Sequence, residues 1–412
     1  MAFKILSVVE TRSDFIKVAA LCEAIKDYNS DGGAHQLDHV LVHTGEQFGA
    51  KISELFFNDI ELPKPKLFLG VGSSSQAVQS AKVMEAFESV LLAEKPNVVI
   101  VIGDVDSTAG CALVTKKTGC SGESCATGVV PKLAHFEAGL RSLDRTMPEE
   151  VNRIVTDSIS DYLFTTEESA NQNLRREGVP DSKIHFVGNV LIDTLLRYRS
   201  KVKDSAILND LQMCKDGRVN PYAIMTLQKA AIVDDLSSFS RVIHSFLAVS
   251  RQMPIIFPAH PRTMEQIQKA DLGDYFVDYF TGGPDPWDSR VRIRLVPRLG
   301  YVDYLQLVSR AKFVLTDSGG IQEETTILGI PCITMRQNTD RPVTLTHGTN
   351  LLVGTDPEKI ILAVNQILHG ICQPARSPRF WDGNAAKRII QVLAPKKEAG
   401  FANYSSFSPM EP

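Results

Sequence analysis

The sequence has little of what marks several specialised protein classes. Its seven cysteines are an odd number and include no C-x-x-C pair, so neither a disulfide framework nor a zinc site is indicated, and a reducing compartment is favoured. Lysine and arginine total 44 against 48 aspartate and glutamate residues, giving a net charge of −4. The chain therefore lacks the basic excess that is typical of proteins that bind nucleic acid.

Two nucleotide-binding fingerprints and any long apolar run are also missing. No G-x-x-x-x-G-K-[ST] segment is present, and no G-x-G-x-x-G follows the first predicted strand, so neither P-loop ATP hydrolysis nor NAD binding is supported. Apolar runs such as residues 97–103 are far shorter than the ~20 residues that span a bilayer. Residues 1–4 lead into a predicted strand without a signal-peptide pattern, so we expect a cytoplasmic protein with no membrane partner.

What the sequence does contain is an alternation of short runs rich in valine and isoleucine with segments of helical periodicity. Near-continuous apolar runs indicate strands buried on both faces, and their alternation with helices indicates right-handed crossover units in parallel sheets. The predicted fold class is α/β, with two Rossmann-like doubly wound domains. The predicted strands are residues 5–9, 40–43, 98–101, 132–136, 162–165 and 184–187 in the first half, and 222–227, 254–258, 291–296, 313–316, 332–335 and 351–353 in the second.

This pattern also predicts the domain limits. The first domain covers residues 1–190, the second covers residues 191–377, and a helix within residues 378–400 is expected to pack back on the first. The serine-, proline- and asparagine-rich residues 401–412 are expected to fray. Residues 119–128, which contain Cys120 and Cys125, are predicted to form a surface insertion rather than a redox or metal site.

Open α/β sheets bind ligands beyond the carboxyl ends of their strands, where the first half carries charged residues. Arg12 and Lys17 follow the first strand and could meet an anion at a helix start, although surface cations would look the same. Asp104 could be a catalytic carboxylate or the N-cap of the next helix. Glu137 follows an apolar strand and precedes Ala-Gly-Leu-Arg. A hydrophobic core does not require a charged residue at this position. Glu149, in the first turn of a helix, could equally serve the helix dipole.

The second half repeats this placement. His260 and Arg262 follow a predicted strand and could both reach a diphosphate. Gly319 and Gly320 follow another strand and open a helix, so a phosphate could approach their backbone at the positive end of the helix dipole. A glutamate one turn into that helix could accept hydrogen bonds from ribose hydroxyls, and residues 336–341 supply more cations. The pattern predicts an anionic, nucleotide-type ligand in the cleft between the domains.

Two long motifs are the most specific part of the sequence. They are His-Phe-Glu-Ala-Gly-Leu-Arg at residues 135–141 and Thr-Asp-Ser-Gly-Gly-Ile-Gln-Glu-Glu at residues 316–324. With shorter motifs at residues 11–17, 103–104, 147–153, 187–189, 260–263, 339–342 and 348–350, they make most of the chain resemble the non-hydrolysing UDP-N-acetylglucosamine 2-epimerase family.

The resemblance implies a GT-B arrangement, in which the two domains face a cleft, and also a homodimer. The sequence has no clustered His, Cys and carboxylate set with metal-ligand spacing, so no metal or other cofactor is expected. It implies chemistry at C2 of a UDP-amino sugar. The C2 proton is removed while the C1–O bond to UDP breaks, which gives a glycal and UDP. UDP then adds back, and the proton is delivered to the opposite face. Because that proton is weakly acidic, its loss must be coupled to stabilisation of the leaving group.

Site residues are carried over from the resemblance by position. The carboxylates implied for proton transfer are Asp104, Glu137 and Glu149. The resemblance assigns the diphosphate to Arg12, Ser318 and Gly319. It assigns the ribose to Glu324 and places Tyr304 near the uracil. The complete predicted substrate-binding set is Arg12, Lys17, Arg153, Gln228, His260, Arg262, Tyr304, Ser318, Gly319, Gly320, Glu324 and Arg341.

The chain also departs from the family. Glu10 stands where the family has glycine, and Gln228 stands where it has a site histidine. Residues 44–47 and 76–78 differ as well, so much of the family's second, regulatory substrate pocket is not retained. Three hypotheses stay open: an active 2-epimerase, a non-catalytic or regulatory nucleotide-sugar-binding protein, and a GT-B glycosyltransferase.

Overall fold

The computed structural model describes residues 2–45, 57, 59–72, 75–118, 131–278 and 293–395. Within these ranges each half of the chain forms a seven-stranded sheet. The strands of the first sheet are β1 (Phe3–Val9), β2 (Leu37–Gly45), β3 (Leu67–Val71), β4 (Val98–Ile102), β5 (Lys132–Phe136), β6 (Tyr162–Thr165) and β7 (Ile184–Phe186). A two-stranded antiparallel pair follows, β8 (Cys214–Lys215) and β9 (Arg218–Val219). The strands of the second sheet are β10 (Ala223–Thr226), β11 (Ile255–Pro258), β12 (Val277–Asp278), β13 (Ile293–Val296), β14 (Phe313–Thr316), β15 (Cys332–Thr334) and β16 (Asn350–Leu352).

Both large sheets are parallel throughout. The first has the order β3-β2-β1-β4-β5-β6-β7 and the second the order β12-β13-β11-β10-β14-β15-β16. The predicted α/β class with two parallel sheets is confirmed. Each order reverses direction next to the first strand of its half, and this switch point is where open α/β sheets bind ligands.

The prediction of six strands in each half was wrong by one edge strand in each sheet. Strand β3 lies at an edge, and Phe68 within it is 40% exposed, so it lacks the continuous apolar run of a central strand. Strand β12 is also at an edge and has only two residues. By contrast, all five residues of β4 are buried, and the sequence predicts this strand well.

Helices connect the strands and cover the sheets. They are α1 (Arg12–Ser30), α2 (Gln76–Glu94), α3 (Asp106–Thr118), α4 (Pro148–Ile159), α5 (Glu168–Arg176), α6 (Val190–Tyr198), α7 (Ile207–Asp210), α8 (Ala230–Val233), α9 (Leu236–Ser250), α10 (Pro261–Lys269), α11 (Tyr301–Arg310), α12 (Gly319–Leu328), α13 (Val343–Thr346), α14 (Pro357–Leu368) and α15 (Ala385–Leu393). None of the helices in the described ranges is long and apolar enough to cross a membrane.

Helix α1 shows how local sequence places a site residue. Thr11 and Asp14 form a capping box, in which the Thr11 hydroxyl accepts from the Asp14 N–H at 3.3 Å and Asp14 Oδ2 accepts from the Thr11 N–H at 2.8 Å. This cap starts the helix two residues after β1 ends. Arg12 is therefore fixed in the first turn, at the carboxyl edge of the sheet.

The last helix packs on the first half of the chain. Ile389, Ile390 and Leu393 of α15 belong to the same hydrophobic cluster as residues of β1, α1 and α6. The Trp381 indole donates to the Thr166 carbonyl at 2.8 Å, and the Ala386 N–H donates to Asp193 Oδ2 at 2.7 Å. The domain limits at residues 190 and 377 stay predictions, and residues 119–130 and 396–412 lie outside the described ranges.

Candidate active site

Two adjoining cavities lie at the carboxyl ends of the sheets. The larger is about 580 Å³ and the smaller about 140 Å³, and residues from both halves of the chain line each of them. Most of the predicted site residues line the larger cavity: Arg12, Lys17, Asp104, Glu137, Gln228, His260, Arg262, Ser318, Gly319, Gly320 and Arg341. Tyr304 and Glu324 line only the smaller cavity, and Glu149 and Arg153 line neither.

Glu137 follows β5 directly and borders the larger cavity. Its backbone has a φ of +65°, a left-handed conformation that is strained for a residue other than glycine. Its Oε2 lies 2.9 Å from Lys17 Nζ and 3.3 Å from Arg341 Nη2. Burial raises the pKa of Glu137, but Lys17 and Arg341 more than offset this, so the pKa lies below its ordinary value. The buried Oε1 of this ionised carboxylate has no hydrogen-bond partner among the described residues.

Asp104 borders the same cavity at the end of β4. A short ion pair joins it to the Nη2 atom of Arg153, which also lies 3.0 Å from Asp340 Oδ2. Burial raises the pKa of Asp104, and Arg153 more than offsets this, so the carboxyl is held ionised. Arg153 itself is buried and pairs with carboxylates, and its predicted role in binding substrate stays a prediction.

Glu149 lies outside the cavity lining but touches a residue of it. Its Oε1 lies 2.7 Å from Lys229 Nζ, and Lys229 borders the larger cavity from the second half of the chain. The side chain of Glu149 is 30% exposed. Its predicted part in proton transfer stays a prediction, because only a movement of the side chain or of the cleft would bring it to the cavity.

Arg341 is the centre of an ion-pair network that crosses the cleft. Its Nε lies 2.9 Å from Glu323 Oε1, its Nη2 pairs with Glu137 on the opposite side, and its Nη1 pairs closely with Asp340. All four side chains are buried. The sequence predicted Arg341 and Glu137 but missed Glu323 and Asp340, although both lie within the motifs at residues 316–324 and 339–342.

The start of helix α12 supplies an anion-binding surface. Ser318 is the N-cap residue with extended backbone, and its side chain makes no capping hydrogen bond. A Cβ on Gly319 would lie 3.0 Å from the Arg341 guanidinium carbon, and one on Gly320 would lie 3.4 Å from Leu191 Cδ2. Gly319 therefore lets the Arg341 guanidinium approach the start of the helix, where the first-turn N–H groups favour a negative charge.

Three basic side chains border both cavities. Burial lowers the pKa of Arg12, and the neighbouring Arg298 lowers it further. Burial, then Arg298 and Arg262, lower the pKa of His260. The His260 Nδ1 accepts from the Arg262 N–H at 3.2 Å, so the ring proton belongs on Nε2. A bound anion would relieve the mutual repulsion of these groups. Arg298, which follows β13, was missed by the sequence analysis.

The smaller cavity has hydroxyl and carboxyl groups. The Tyr301 hydroxyl donates to Glu324 Oε1 at 3.0 Å, and burial raises the pKa of Glu324 to about 7. The Tyr304 hydroxyl is buried without a hydrogen-bond partner in the described part of the chain. These groups can exchange hydrogen bonds with a polar ligand such as a sugar or a base.

The described histidine, cysteine and acidic side chains are not arranged as a metal site. Within the ranges described, no group of three or more His, Cys, Asp or Glu side chains could hold a metal ion. The cysteines that the structure describes are all free thiols: Cys22, Cys111, Cys214, Cys332 and Cys372. Cys120 and Cys125 lie outside the described residues.

The proteins to which this chain is similar in sequence indicate its family. The family model described as UDP-N-acetylglucosamine 2-epimerase matches residues 32–394. The UDP-N-acetylglucosamine 2-epimerase of Methanocaldococcus jannaschii is 35% identical over 396 residues, which cover 95% of this chain and 98% of that protein. The UDP-2,3-diacetamido-2,3-dideoxy-D-glucuronate 2-epimerase of Pseudomonas aeruginosa is 32% identical over 394 residues, which cover 95% of this chain and 99% of that protein.

Solved structures agree with this comparison. The crystal structure of Methanocaldococcus jannaschii UDP-GlcNAc 2-epimerase in complex with UDP-GlcNAc and UDP matches with a TM-score of 0.80 at 34% identity, over 95% of this chain and 99% of that chain. The Neisseria meningitidis UDP-GlcNAc 2-epimerase bound to UDP-GlcNAc has a TM-score of 0.76 at 23% identity, over 95% and 99% of the two chains, which shows the fold alone. The expected GT-B arrangement is confirmed, and the chain belongs to the UDP-N-acetylglucosamine 2-epimerase family.

Proposed function

We propose that the protein epimerises C2 of a UDP-amino sugar, converting UDP-N-acetylglucosamine to UDP-N-acetylmannosamine or a related sugar. The observation that carries the proposal is the position of two ionised carboxylates, Glu137 and Asp104, in one cavity with the start of helix α12. The cavity therefore combines a base that can remove the C2 proton with a site that can bind the departing diphosphate. Both are needed at once, because loss of the C2 proton must accompany departure of UDP.

The nucleotide end of the site is formed mainly by the second half of the chain. The diphosphate would accept hydrogen bonds from the first-turn N–H groups of α12 and from Arg12, Arg298 and His260. Glu324, in the smaller cavity, would accept from the ribose hydroxyls. This arrangement stabilises negative charge on UDP as the C1–O bond breaks.

At the sugar end, one carboxylate takes the C2 proton while the electron pair of the C2–H bond forms the C1–C2 double bond and UDP leaves. The products of this step are the glycal and UDP. UDP then adds back to C1, and the other carboxyl group, after taking up a proton from solvent, delivers a proton to the opposite face of C2. We assign Glu137 and Asp104 to proton transfer, with Glu149 as the third candidate.

A test in D2O separates this function from the two alternatives. We expect incubation with UDP-N-acetylglucosamine to place deuterium at C2 and to form the 2-epimer, detected by proton NMR and mass spectrometry. A glycosyltransferase would leave C2 protonated and would transfer the sugar only when an acceptor is present. A binding protein would bind the nucleotide sugar and exchange nothing, so either result would refute the proposed reaction.

Two finer properties are proposed on the family resemblance and the cysteine pattern. We infer a homodimer and a cytoplasmic location, with a UDP-sugar as the partner molecule and no cofactor. Sedimentation equilibrium measures the first property directly. A sedimenting mass near the 45.4 kDa of one chain would rule out the homodimer.

Gln228 lies on the side of the cavity where the diphosphate is proposed to bind, and its replacement gives a testable prediction. Its side chain is exposed and borders both cavities, while its N–H donates to Asp317 Oδ2 at 2.9 Å. A histidine there could carry charge toward the diphosphate, and charge-assisted hydrogen bonds are roughly twice as strong as neutral ones. We expect Gln228→His to raise kcat on UDP-N-acetylglucosamine, by as much as about 10²-fold if it restores a preorganised donor.

The control for this prediction is Gln228→Asn, which stays neutral and should not raise kcat. Lys229→Arg is combined with Gln228→His in a further variant, because Lys229 also borders the cavity and pairs with Glu149. High turnover of the unchanged protein on UDP-N-acetylglucosamine, with no gain in either histidine variant, would show that a histidine is dispensable here.

A further inference from the structure

Glu10 puts a fixed negative charge on the first-half wall of the larger cavity. It follows β1 and borders the larger cavity but not the smaller one. Gln79 Nε2 donates to its Oε1 at 3.1 Å, and the Ser107 hydroxyl donates to its Oε2. Ser107 lies in the first turn of α3, where the helix dipole favours a carboxylate.

These contacts determine the charge of Glu10. Burial, together with the nearby Asp14 and Asp106, raises its pKa above the ordinary value of a glutamate, and the hydrogen bonds from Ser107 only partly offset this rise. Both oxygens face side chains that can donate, which favours the ionised form. The group is therefore held as an anion in one position rather than as a mobile surface acid.

Glu10 lies near the part of the cavity that is proposed to hold the sugar rather than the nucleotide. Its N–H donates to Asp14 Oδ2 at 3.1 Å. A Cβ built on Gly103 would lie 3.9 Å from Glu137 Oε2 and 4.0 Å from both Asp14 Oδ1 and Lys17 Nζ, so Glu10 and Asp14 adjoin the Glu137–Lys17 ion pair. In the proposed reaction C1 lies at the diphosphate site and C2 beside Glu137, which puts the sugar ring next to the wall that also carries Glu10.

We propose that Glu10 is a specificity-determining residue that selects sugars without a carboxylate, so the substrate carries a neutral hydroxymethyl group at C5 rather than a uronate. This inference rests on the proposed function and names the substrate class for it. The two similar proteins differ in this respect, because one is named for N-acetylglucosamine and the other for a diacetamido-glucuronate. A like charge in the wall is an effective way to reject one of two such sugars.

The matched pair of probes is UDP-N-acetylglucosamine and UDP-N-acetylglucosaminuronate, which differ only in the oxidation of C6. We expect the unchanged protein to bind the neutral sugar more tightly by isothermal titration calorimetry and to exchange its C2 proton faster. Glu10→Gln keeps the size of the side chain and removes the charge. For like charges several ångström apart at an effective dielectric constant of about 20, the preference should fall by about 10- to 100-fold.

Glu88→Gln is the control variant. Glu88 is exposed on α2 and lines neither cavity, so the same kind of substitution removes one unit of charge without altering the wall. It should leave the preference unchanged, and circular dichroism checks that both variants are folded. An unchanged protein that prefers the uronate, or a preference equal in the unchanged protein and in Glu10→Gln, would overturn the role of Glu10.

The two readouts separate this inference from the proposed function. If neither sugar exchanges its C2 proton but Glu10→Gln still shifts the ratio of binding constants, the proposed reaction fails and the role of Glu10 stands. If exchange occurs and the ratio does not shift, the reaction stands and Glu10 is not the selective residue.

Discussion

Replacing Glu137 with glutamine should nearly abolish proton exchange at C2 while UDP still binds. The carboxylate is ionised and buried, and one of its oxygens has no hydrogen-bond partner among the described residues. Glutamine keeps the shape and the hydrogen-bonding capacity of the side chain but cannot take a proton. Because general acid–base groups contribute about 10²–10⁴-fold to a rate, we expect kcat to fall by that factor.

The nucleotide should be unaffected, since its predicted contacts lie in α12 and in the cations around it. Calorimetric titration with UDP measures this, and deuterium incorporation at C2 measures the chemistry. The control is Glu167→Gln, because Glu167 is a buried glutamate two residues after the end of β6 and lines neither cavity. Incorporation of deuterium at the parental rate in Glu137→Gln would mean that Glu137 has only a structural role.

The sequence best predicts which residues border the cavity where a residue follows the end of a strand. Asp104 and Glu137 follow β4 and β5, and Ser318 follows β14 in the other sheet. The carboxyl ends of parallel strands meet at one edge, so a strand prediction alone brings these side chains together. The central strands are predictable because they are buried on both faces, whereas the edge strands β3 and β12 lack that continuous pattern.

The partners of these residues are harder to predict. Asp340 pairs with Arg153 across 187 positions of sequence, and Arg341 pairs with Glu137 across 204. Local patterns carry no information about such pairs, because they depend on how the two halves of the chain face each other. The same limit explains Glu149, whose motif predicts a catalytic carboxylate but whose side chain is paired with Lys229 beside the cavity.

Removing the charge of Arg341 should destabilise the folded protein. In Arg341→Met, Glu137 keeps Lys17 at 2.9 Å and Asp340 keeps Arg153 at 3.0 Å, but Glu323 loses the ion pair at 2.9 Å. Breaking a buried ion pair from one side costs about 3–5 kcal/mol where the remaining group keeps its charge, and the cost is smaller at a pH at which Glu323 takes up a proton. Urea denaturation followed by circular dichroism measures the free energy of unfolding, and the loss should appear as a lower urea midpoint of the first transition.

The double variant Arg341→Met with Glu323→Gln tests whether Glu323 is the cause. Burial already raises the pKa of Glu323 to about 7 in the presence of Arg341, so glutamine imitates a protonated form that is easily reached. Glu323→Gln alone leaves Arg341 paired with Asp340 and Glu137 and should cost little. The double variant should then be more stable than Arg341→Met at a pH well above 7, where Glu323 would otherwise be an unpaired buried carboxylate. If the two changes destabilise additively, the charge of Glu323 does not contribute, and the loss in Arg341→Met must come from Glu137, Asp340 or packing across the cleft.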